Sequence, residues 1–357
     1  MDEGESYKMP TLKDIARKVG FSISTVSRVL NNDMSRHISP ETRTKIWKAA
    51  KELGYVSDEE AKPSPGNAAK PGAAAGGRQI GCIVSVPQNK YNHPYFSPIL
   101  EGIEKKLSEL GCSLAYVITM KEIEGEKAIR RLVQEHKLDG CIIVEGIRPD
   151  IYEYIKKIVP AVVGIDIADP TVPVISYDRV QAAKSAVAHL IEQGHRQIGF
   201  IGGTGLTGDI EREKRYRGYR AALQEAGLEA DPQWIINSGW DVDVTYSRMS
   251  ELLDTNGLRI PTAIFAASDM MAISAMRAVA ERGLRIPQDI AFVGLDNIEV
   301  SQYTSPPLST VHIPKSEIGM MAAKVLVDQI EGHHPLPFRM LLPYRLLIRQ
   351  SSDYIRK

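Results

Sequence analysis

From residue 78 onward the sequence alternates short apolar runs with amphipathic stretches, and this alternation limits the possible folds more than any other feature. The runs do not alternate apolar with polar side chains, so they do not suit a sheet with one face in water. They suit parallel strands that helices cover on both faces. The predicted strands of this first series are 80–86, 114–118, 141–144 and 162–165, separated by helices such as 98–110 and 126–136.

A second series follows and predicts a second lobe of the same kind. Its predicted strands are 197–202, 262–266 and 290–294, and its predicted helices are 181–193, 212–226 and 270–282. Ligands of such doubly wound sheets bind beyond the carboxyl ends of the strands. The sequence therefore predicts an α/β fold with two doubly wound parallel sheets and a ligand pocket in the cleft between them.

The first 55 residues have a different pattern, which predicts three short helices. Thr11 and Asp14 can form a capping box at the start of the first helix, and Gly20 can end it. Ser22 can cap the second helix, and the Ser-Pro pair at 39–40 supplies a cap and a first-turn proline for the third. Apolar residues recur on one face of each segment, so the three helices can share a core.

Between these two patterns lies a segment with no aromatic and no β-branched residue. It buries too little apolar surface to offset the entropy cost of ordering it, so we predict a flexible linker. At 357 residues the chain has room for more than one core. The predicted domains are an all-α helix-turn-helix domain at 9–56, the linker at 57–77 and a two-lobed domain at 78–350, with lobe 1 at about 78–178 plus 312–335 and lobe 2 at about 179–311 plus 336–350.

Charge and cysteine use limit the partners and the compartment. The formal charges cancel overall, but between Lys8 and Leu53 there are ten Lys and Arg residues against four Asp and Glu residues, which favours a phosphate backbone or a solvated basic face. The three cysteines have no C-x-x-C spacing, so we expect buried free thiols in a reducing compartment. The sequence shows no signal peptide and no run that could span a bilayer, so we expect a cytoplasmic protein without a membrane partner.

The second predicted helix carries side chains that suit the major groove of DNA. A helix, a turn with glycine and a second helix form a unit that can lie in that groove. Ser22, Thr25 and Ser27 are small enough to approach phosphates. Arg28 can donate two hydrogen bonds to guanine, and Ile23 can contact a thymine methyl group. From these residues alone, a three-helix protein-binding module is the alternative.

Several motifs, in this order, resemble the lactose/galactose repressor (LacI/GalR) family. They are Leu12-Lys-Asp-Ile-Ala, Ser24-Thr-Val-Ser-Arg-Val-Leu-Asn31, Leu53-Gly-Tyr55, Gly194-His-Arg-Gln-Ile-Gly-Phe-Ile-Gly-Gly203, Ala267-Ser-Asp-Met-Met-Ala272, Val293-Gly-Leu-Asp296, Ser305-Pro-Pro-Leu-Ser-Thr310 and Pro343-Tyr-Arg-Leu-Leu-Ile-Arg349. The resemblance covers nearly the whole chain. It implies a periplasmic-binding-protein-like two-lobed domain and a homodimeric repressor of carbohydrate-utilisation genes.

The resemblance implies roles for individual residues in binding double-stranded operator DNA. Ile23 and Ser24 take the variable base-reading positions, and Arg28 takes the position of the base-contacting arginine. The positions near phosphates are Leu12, Ser22, Asn31, His37, Ser39 and Thr42, beside Thr25 and Ser27. Two such domains in a dimer would read two half-sites, which explains how so small a domain can be specific.

The resemblance also implies that a small effector, a sugar or sugar derivative, binds in the cleft and changes the affinity for DNA. Carboxylates and Arg hydrogen-bond hydroxyl groups, and an aromatic ring can stack on the sugar. The predicted effector-binding residues are Tyr95, Phe96, Asp166, Arg215, Trp240, Ser268, Asp269, Asp296 and Lys315. Each of these could instead form a structural salt bridge or a helix cap.

Two departures from the family pattern affect these expectations. The family usually has a Pro-Asn pair and a hinge helix after its tyrosine, whereas Tyr55 is followed by Val-Ser-Asp-Glu-Glu60. This chain is similar in this respect to a branch without the helix, which includes regulators of β-galactosidase-type genes and suggests a galactoside-like effector. Without the hinge helix we expect the long linker to transmit the spacing of the two DNA-binding domains loosely, which would give the effector modest control of DNA affinity. Lys315 and Ser268 stand where some relatives have an apolar residue and Asn, which leaves the identity and charge of the ligand open.

Other functions find less support. The G-x-G-x-x-G at 203–208 lacks the acidic strand-end residue of a dinucleotide site, so we expect no cofactor. His189, His195 and the pair at 333–334 lack partners at metal-ligand spacing, so we expect no metal. No catalytic motif stands out, so we expect no enzyme activity. The alternative is a cytoplasmic sugar-binding protein or a small-molecule enzyme on the same fold, which would leave the helix-turn-helix unexplained.

Overall fold

The computed structural model describes residues 11–30, 38–53, 77–85, 93–123, 125–205, 208–254, 260–333 and 336–355. The chain divides into two compact units, with the boundary between Ala75 and Gly76. The predicted linker at 57–77 lies outside the described residues except for Gly77. Among the helices of the described ranges, none is both long and apolar enough to cross a membrane.

The first unit contains the three predicted helices, α1 (Leu12–Val19), α2 (Ile23–Leu30) and α3 (Pro40–Glu52). The backbone N–H and the Oγ1 of Thr11 both donate to Asp14 Oδ2, at 2.9 and 2.6 Å, so the capping pair does start α1. The fully buried residues between the helices include Ile15, Val26 and Ile46. The prediction of a helix-turn-helix is confirmed.

Lobe 1 of the second unit is a six-stranded parallel sheet. Its strands are β1 (Gln79–Val84), β2 (Ser113–Thr119), β3 (Gly140–Val144), β4 (Val162–Ile165), β5 (Val174–Ser176) and β11 (Arg339–Leu341), and its helices are α4 (Phe96–Glu109), α5 (Glu126–His136), α6 (Pro149–Ile158) and α11 (Lys315–Ile330). The strands lie in the order β11-β5-β4-β3-β1-β2. Every residue of β3 and β4 is buried, and successive residues of β3 belong to two different apolar clusters. Both faces of the sheet are therefore covered, as the continuous apolar runs predict.

Lobe 2 has a second six-stranded sheet. Its strands are β6 (Ile198–Gly202), β7 (Ile235–Asn237), β8 (Ala263–Ala266), β9 (Ala291–Asp296), β10 (Ser309–His312) and β12 (Arg345–Leu347), and its helices are α7 (Arg179–Glu192), α8 (Lys214–Glu225), α9 (Val242–Asp254) and α10 (Asp269–Glu281). The order is β12-β10-β9-β8-β6-β7, and β12 pairs with β10 in antiparallel orientation. The prediction of a two-lobed α/β fold is confirmed, with one antiparallel edge strand that the sequence did not indicate.

The predicted lobe boundaries near the C-terminus need two corrections. The assignment of 336–350 to lobe 2 is wrong for β11, because Arg339–Leu341 pairs in parallel with Val174–Ser176 of lobe 1. The predicted end at 350 is also too early, because Ser351 is fully buried and its Oγ donates to the Phe292 carbonyl of lobe 2 at 2.7 Å. The chain therefore crosses between the lobes three times, after β5, after β10 and after β11.

Helices α4 and α11 pack very closely in lobe 1. A Cβ atom on Gly102 would lie 2.1 Å from the Ser316 carbonyl oxygen, and one on Gly319 would lie 2.1 Å from the Ile99 carbonyl oxygen. Only glycine permits this approach of the two backbones. The crossing lies close to the first turns of both helices, so it holds their N-termini at the same end of the lobe.

Candidate effector cleft and DNA-binding face

Among the described residues, five other than glycine have left-handed backbone angles close to the carboxyl ends of strands. Glu145 (φ 64°) follows β3, Asp166 (φ 54°) follows β4, and Trp240 (φ 68°) follows β7. Asp296 (φ 123°) ends β9, and Asn297 (φ 50°) comes next. Such angles are uncommon for side chains other than Asp and Asn, and a concentration of them is typical of functional sites. The carboxyl edge of both sheets is therefore the first place to look for a ligand site.

Arg179, the first residue of α7, binds two carboxylates at the edge of lobe 1. Its Nη2 donates to Glu145 Oε1 at 2.6 Å, and its Nε lies 2.5 Å from Asp166 Oδ2. Tyr95 Oη lies 3.4 Å from the same Nη2. Burial alone would lower the pKa of Arg179, but the two carboxylates raise it well above its ordinary value. The guanidinium therefore stays charged although its side chain is only 7% exposed.

Asp166 also joins the two lobes. Its Oδ1 accepts hydrogen bonds from Ser176 Oγ of lobe 1, at 2.7 Å, and from Lys214 Nζ of lobe 2, at 3.0 Å. Burial would raise the pKa of Asp166, but the charges of Arg179 and Lys214 outweigh it and hold the pKa below its ordinary value. Asp166 is therefore an ionised carboxylate of lobe 1 that pairs with two cations, Arg179 at the start of α7 and Lys214 at the start of α8.

The lobe 2 side of the cleft is built around Arg215. Its Nε donates to Glu213 Oε1 at 2.9 Å, and its Nη1 donates to the Ala267 carbonyl oxygen at 3.1 Å. The guanidinium carbon lies 4.4 Å from the ring centroid of Trp240, so one face of that ring covers an arginine. A Cβ on Gly203 would lie 2.6 Å from two atoms of the same ring, so a glycine at this position is what allows the indole to pack there.

Two buried oxygen atoms of the cleft, Tyr177 Oη and Asp296 Oδ1, have no hydrogen-bond partner within the described part of the chain. Arg179 Nε makes no hydrogen bond there either, but it lies 2.5 Å from Asp166 Oδ2 in an ion pair. Tyr177 is 2% exposed and Asp296 is 5% exposed. Burial raises the pKa of Tyr177, and burial together with the Asp269 carboxyl group raises the pKa of Asp296 to about 8. Buried polar atoms without partners are rare in native proteins. A ligand with hydroxyl groups could supply both.

Lys315, the first residue of α11, connects lobe 1 to the end of β9. Its Nζ donates to the Asp296 carbonyl oxygen and lies 3.5 Å from those of Asn297 and Ile313. Lys315 is 7% exposed, and burial lowers its pKa more than the carboxyl groups of Asp296 and Asp269 raise it. This predicted effector residue lies beside the cleft carboxyl groups, with backbone carbonyls as its acceptors.

The structure does not place every predicted residue in the cleft. Asp269 is fully buried, and its two oxygens accept from Thr310 Oγ1 at 2.6 Å and from the Ile298 N–H at 2.9 Å. Both oxygens therefore hold the loop after β9, and the contact of Asp269 with an effector stays a prediction. Ser268 caps α10 by accepting from the Met271 N–H at 3.4 Å. The Phe96 ring packs on Tyr95, with 5.1 Å between the ring centroids.

Five residues of the cleft were missed from the sequence. Glu145 directly follows the predicted strand 141–144, so the rule that ligands lie beyond strand ends could have found it. The others give no local signal, because their role depends on how the two lobes meet. They are Tyr177, Arg179, Glu213 and Lys214.

The expectation that His333 lacks carboxylate partners is also wrong. Ligand atoms of Asp328, Glu331 and His333 all lie within 4.8 Å of one another near the end of α11. Glu331 pairs with Arg78 at 2.9 Å, and Asp328 pairs with Lys324 at 3.0 Å. These salt bridges already supply positive charge to both carboxylates, so the cluster is a surface ion-pair group at the end of a helix.

The first unit presents hydroxyl groups at the start of two helices. Ser22 Oγ and Thr25 Oγ1 lie 2.8 Å apart at α2, and Ser39 Oγ and Thr42 Oγ1 lie 2.9 Å apart at α3. On α2, Ile23 is 48% exposed. Ser27 and Arg28 are half-buried, whereas Val26 and Val29 fill the core. Leu12 packs against the same core, and the predicted DNA contacts Asn31, His37 and the Ser24 side chain lie outside the described residues.

Family models match both units. The model of bacterial regulatory proteins of the lacI family matches residues 11–58, and the model of a periplasmic binding protein-like domain matches residues 187–352. Among curated proteins, the HTH-type transcriptional regulator CelR of Thermobifida fusca is 33% identical over 98% of this chain and 100% of its own length. The HTH-type transcriptional repressor PurR of Klebsiella pneumoniae is 33% identical over 96% of this chain and 97% of its own.

Solved structures agree with these matches. A complex of the transcriptional regulator CelR with cellobiose has a TM-score of 0.69 at 30% identity and covers 96% of this chain and 99% of its own. A Lac repressor dimer bound to operator and the anti-inducer ONPF has a TM-score of 0.66 at 26% identity, over 97% of this chain and 99% of its own. Both similarities extend over the helix-turn-helix as well as the two lobes.

Proposed function

We propose a function for this chain, which belongs to the lacI family of bacterial regulatory proteins. It represses transcription as a homodimer, and a sugar bound in the cleft changes its affinity for operator DNA. The observation that carries the proposal is the pair of buried oxygen atoms, Tyr177 Oη and Asp296 Oδ1, that accept or donate no hydrogen bond among the described residues where the two lobes meet. An effector can act only through unequal affinity for two arrangements of the dimer. A ligand that contacts both lobes has such unequal affinity, because its contacts depend on how the lobes are arranged.

The DNA contact we propose is the face of α2 that the core does not use. Val26 and Val29 are buried in the core, and we propose that the exposed Ile23 and the half-buried Arg28, on the rest of the surface of α2, contact base edges. The hydroxyl groups at the starts of α2 and α3 suit phosphate oxygens, because a helix N-terminus favours an anion. Two copies of this face in a dimer would read two half-sites.

Replacing Arg28 with alanine should weaken binding to the preferred operator by about 5- to 150-fold, because a bidentate contact to guanine contributes about 1–3 kcal/mol. The operator is first selected from random-sequence DNA with the full chain, and affinities are then measured by fluorescence anisotropy. Arg17→Ala, which removes one exposed charge from α1, is the matched control and should weaken selected and random DNA alike. An equal loss on both DNAs for Arg28→Ala would contradict base reading.

We propose a neutral sugar or sugar derivative as the effector. The cleft offers carboxyl groups, a phenol and guanidinium groups, which are the usual partners of ligand hydroxyl groups. CelR is a relative whose solved complex contains cellobiose, so cellobiose is the first candidate to test, beside β-galactosides. The cationic side chains of the cleft already pair with carboxylates of the protein, which favours an uncharged ligand over a sugar phosphate. The pairs are Arg179 with Glu145 and Asp166, Lys214 with Asp166, and Arg215 with Glu213.

Replacing Tyr177 with phenylalanine should weaken effector binding about tenfold while leaving the ligand-free protein as stable as before. The hydroxyl group has no protein partner within the described residues, so its removal costs the fold nothing, but the ligand loses one hydrogen bond. Thermal shift against a panel of neutral sugars and sugar phosphates measures both quantities.

Tyr219→Phe is the opposite control, because Tyr219 Oη donates to the Ile198 carbonyl oxygen at 2.8 Å in the core of lobe 2. This variant should lower the melting temperature and keep the ligand-induced shift. A ligand-induced shift for Tyr177→Phe equal to that of the parent would remove Tyr177 from the proposed site.

A further inference from the structure

Asp166, a predicted effector contact, has no unused oxygen in this structure. Oδ1 accepts from Ser176 Oγ and Lys214 Nζ, and Oδ2 pairs with Arg179 Nε. The Asp166 side chain is only 6% exposed, so water has little access to it. Because an oxygen of a carboxylate accepts about two hydrogen bonds, a ligand hydroxyl group that donates to Oδ1 competes with Ser176 or Lys214 for it.

Lys214 is the partner that can leave. Ser176 belongs to a buried strand, and Arg179 is 7% exposed and also bound to Glu145, so both are fixed. The Lys214 side chain is 38% exposed, and its flexible stem can return the ammonium group to water at low cost. When Lys214 leaves, Arg179 still neutralises Asp166. The carboxylate is then free to accept from a ligand.

We infer that Lys214 is an affinity-determining residue of the cleft: it acts as an internal ligand of Asp166 that holds lobe 2 against lobe 1 and competes with the effector. The ammonium group comes from α8 of lobe 2 and the carboxylate from the end of β4 of lobe 1, so the contact exists only while the lobes are close. The competition with effector rests on the function proposed above. The closure of the ligand-free cleft does not depend on that function.

Closure is tested without any ligand. Spin labels on Glu153→Cys of α6 and Arg248→Cys of α9 report the distance between the lobes in the full chain, since Glu153 and Arg248 are 68% and 62% exposed and the three native cysteines are buried. Lys214→Met should give a longer and broader distance distribution, and Lys214→Arg, which keeps the pair, should not. An unchanged distribution for Lys214→Met would overturn the inference.

Lys184→Met is the matched control. Lys184 also lies in lobe 2, and it pairs at 2.6 Å with Glu225 of the same lobe, so its loss should leave the interlobe distance as it was. An equal change in both variants would mean that general loss of charge opens the cleft, which would also overturn the inference.

Competition is tested by titration with cellobiose and then with the other sugars of the panel. Lys214→Met should bind the same sugar about three- to tenfold more tightly than the parent, because a partly exposed ion pair no longer opposes binding. Unchanged or weaker binding would refute competition. If Lys214→Met opens the cleft but no sugar binds parent or variant, the proposed effector class fails and the internal contact stands.

Discussion

Replacing Arg179 with methionine is expected to lower the free energy of unfolding by about 3–5 kcal/mol, because removing one partner of a buried ion pair leaves uncompensated charge. Arg179 lies between Glu145 and Asp166, and all three side chains are at most 25% exposed. Without the guanidinium, two carboxylates face each other and Lys214 can neutralise only one of them. Urea denaturation of the parent and the variant at pH 7 measures the difference.

Arg282→Met is the control for Arg179→Met. Arg282 pairs with Asp254 through two short contacts of 2.7 and 2.5 Å, yet Asp254 is 63% exposed, so we expect a much smaller loss than for Arg179→Met. Adding Glu145→Gln to Arg179→Met should recover part of the lost stability by removing one of the two negative charges. If Arg179→Met costs no more than Arg282→Met, the carboxylates do not depend on Arg179.

The fold was largely predictable because its central strands are buried on both faces. Such strands are continuously apolar, as at 141–144 and 162–165, and this pattern is visible without any contact information. The edge strand Arg339–Leu341 was placed in the wrong lobe because it has three residues, none of them buried. Its pairing with β5 is decided by the crossing of the chain between the lobes, which leaves no periodic signal.

The sequence could predict residues of the candidate site only where their position at the end of a strand places them near the cleft. Asp166 and Asp296 end or follow strands and do reach the cleft, whereas Asp269, which also follows a strand, turns inward to Thr310 and the Ile298 N–H. A carboxylate after a strand can serve a ligand or hold a loop, and the sequence does not distinguish the two uses. The contact between Lys214 and Asp166 depends on the relative position of two lobes.

The second large effect concerns the pH dependence of stability. Burial and the Asp269 carboxyl group raise the pKa of Asp296 to about 8, from an ordinary value of 3.8, so the folded protein holds a proton that the unfolded chain has lost over this interval. The unfolding free energy should therefore fall as pH rises through it, by up to about 1.4 kcal/mol per pH unit. Asp269, with a pKa of about 6, acts in the same direction below pH 6.

Asp296→Asn should remove this dependence, so the parent should lose about 2 kcal/mol between pH 6.5 and 8 while the variant loses little. The lowered pKa values of His93, His189 and His312 act in the opposite direction near pH 6.5, where an unfolded histidine still binds part of a proton, so the difference between the parent and Asp296→Asn, which share these histidines, is the quantity that measures Asp296. Asp254→Asn is the control. Arg282 lowers the pKa of Asp254, so the stability that this ion pair contributes is lost only at acidic pH. Parallel curves for the parent and Asp296→Asn would mean that Asp296 is already ionised at neutral pH. A ligand would then meet a carboxylate rather than a carboxylic acid at the end of β9.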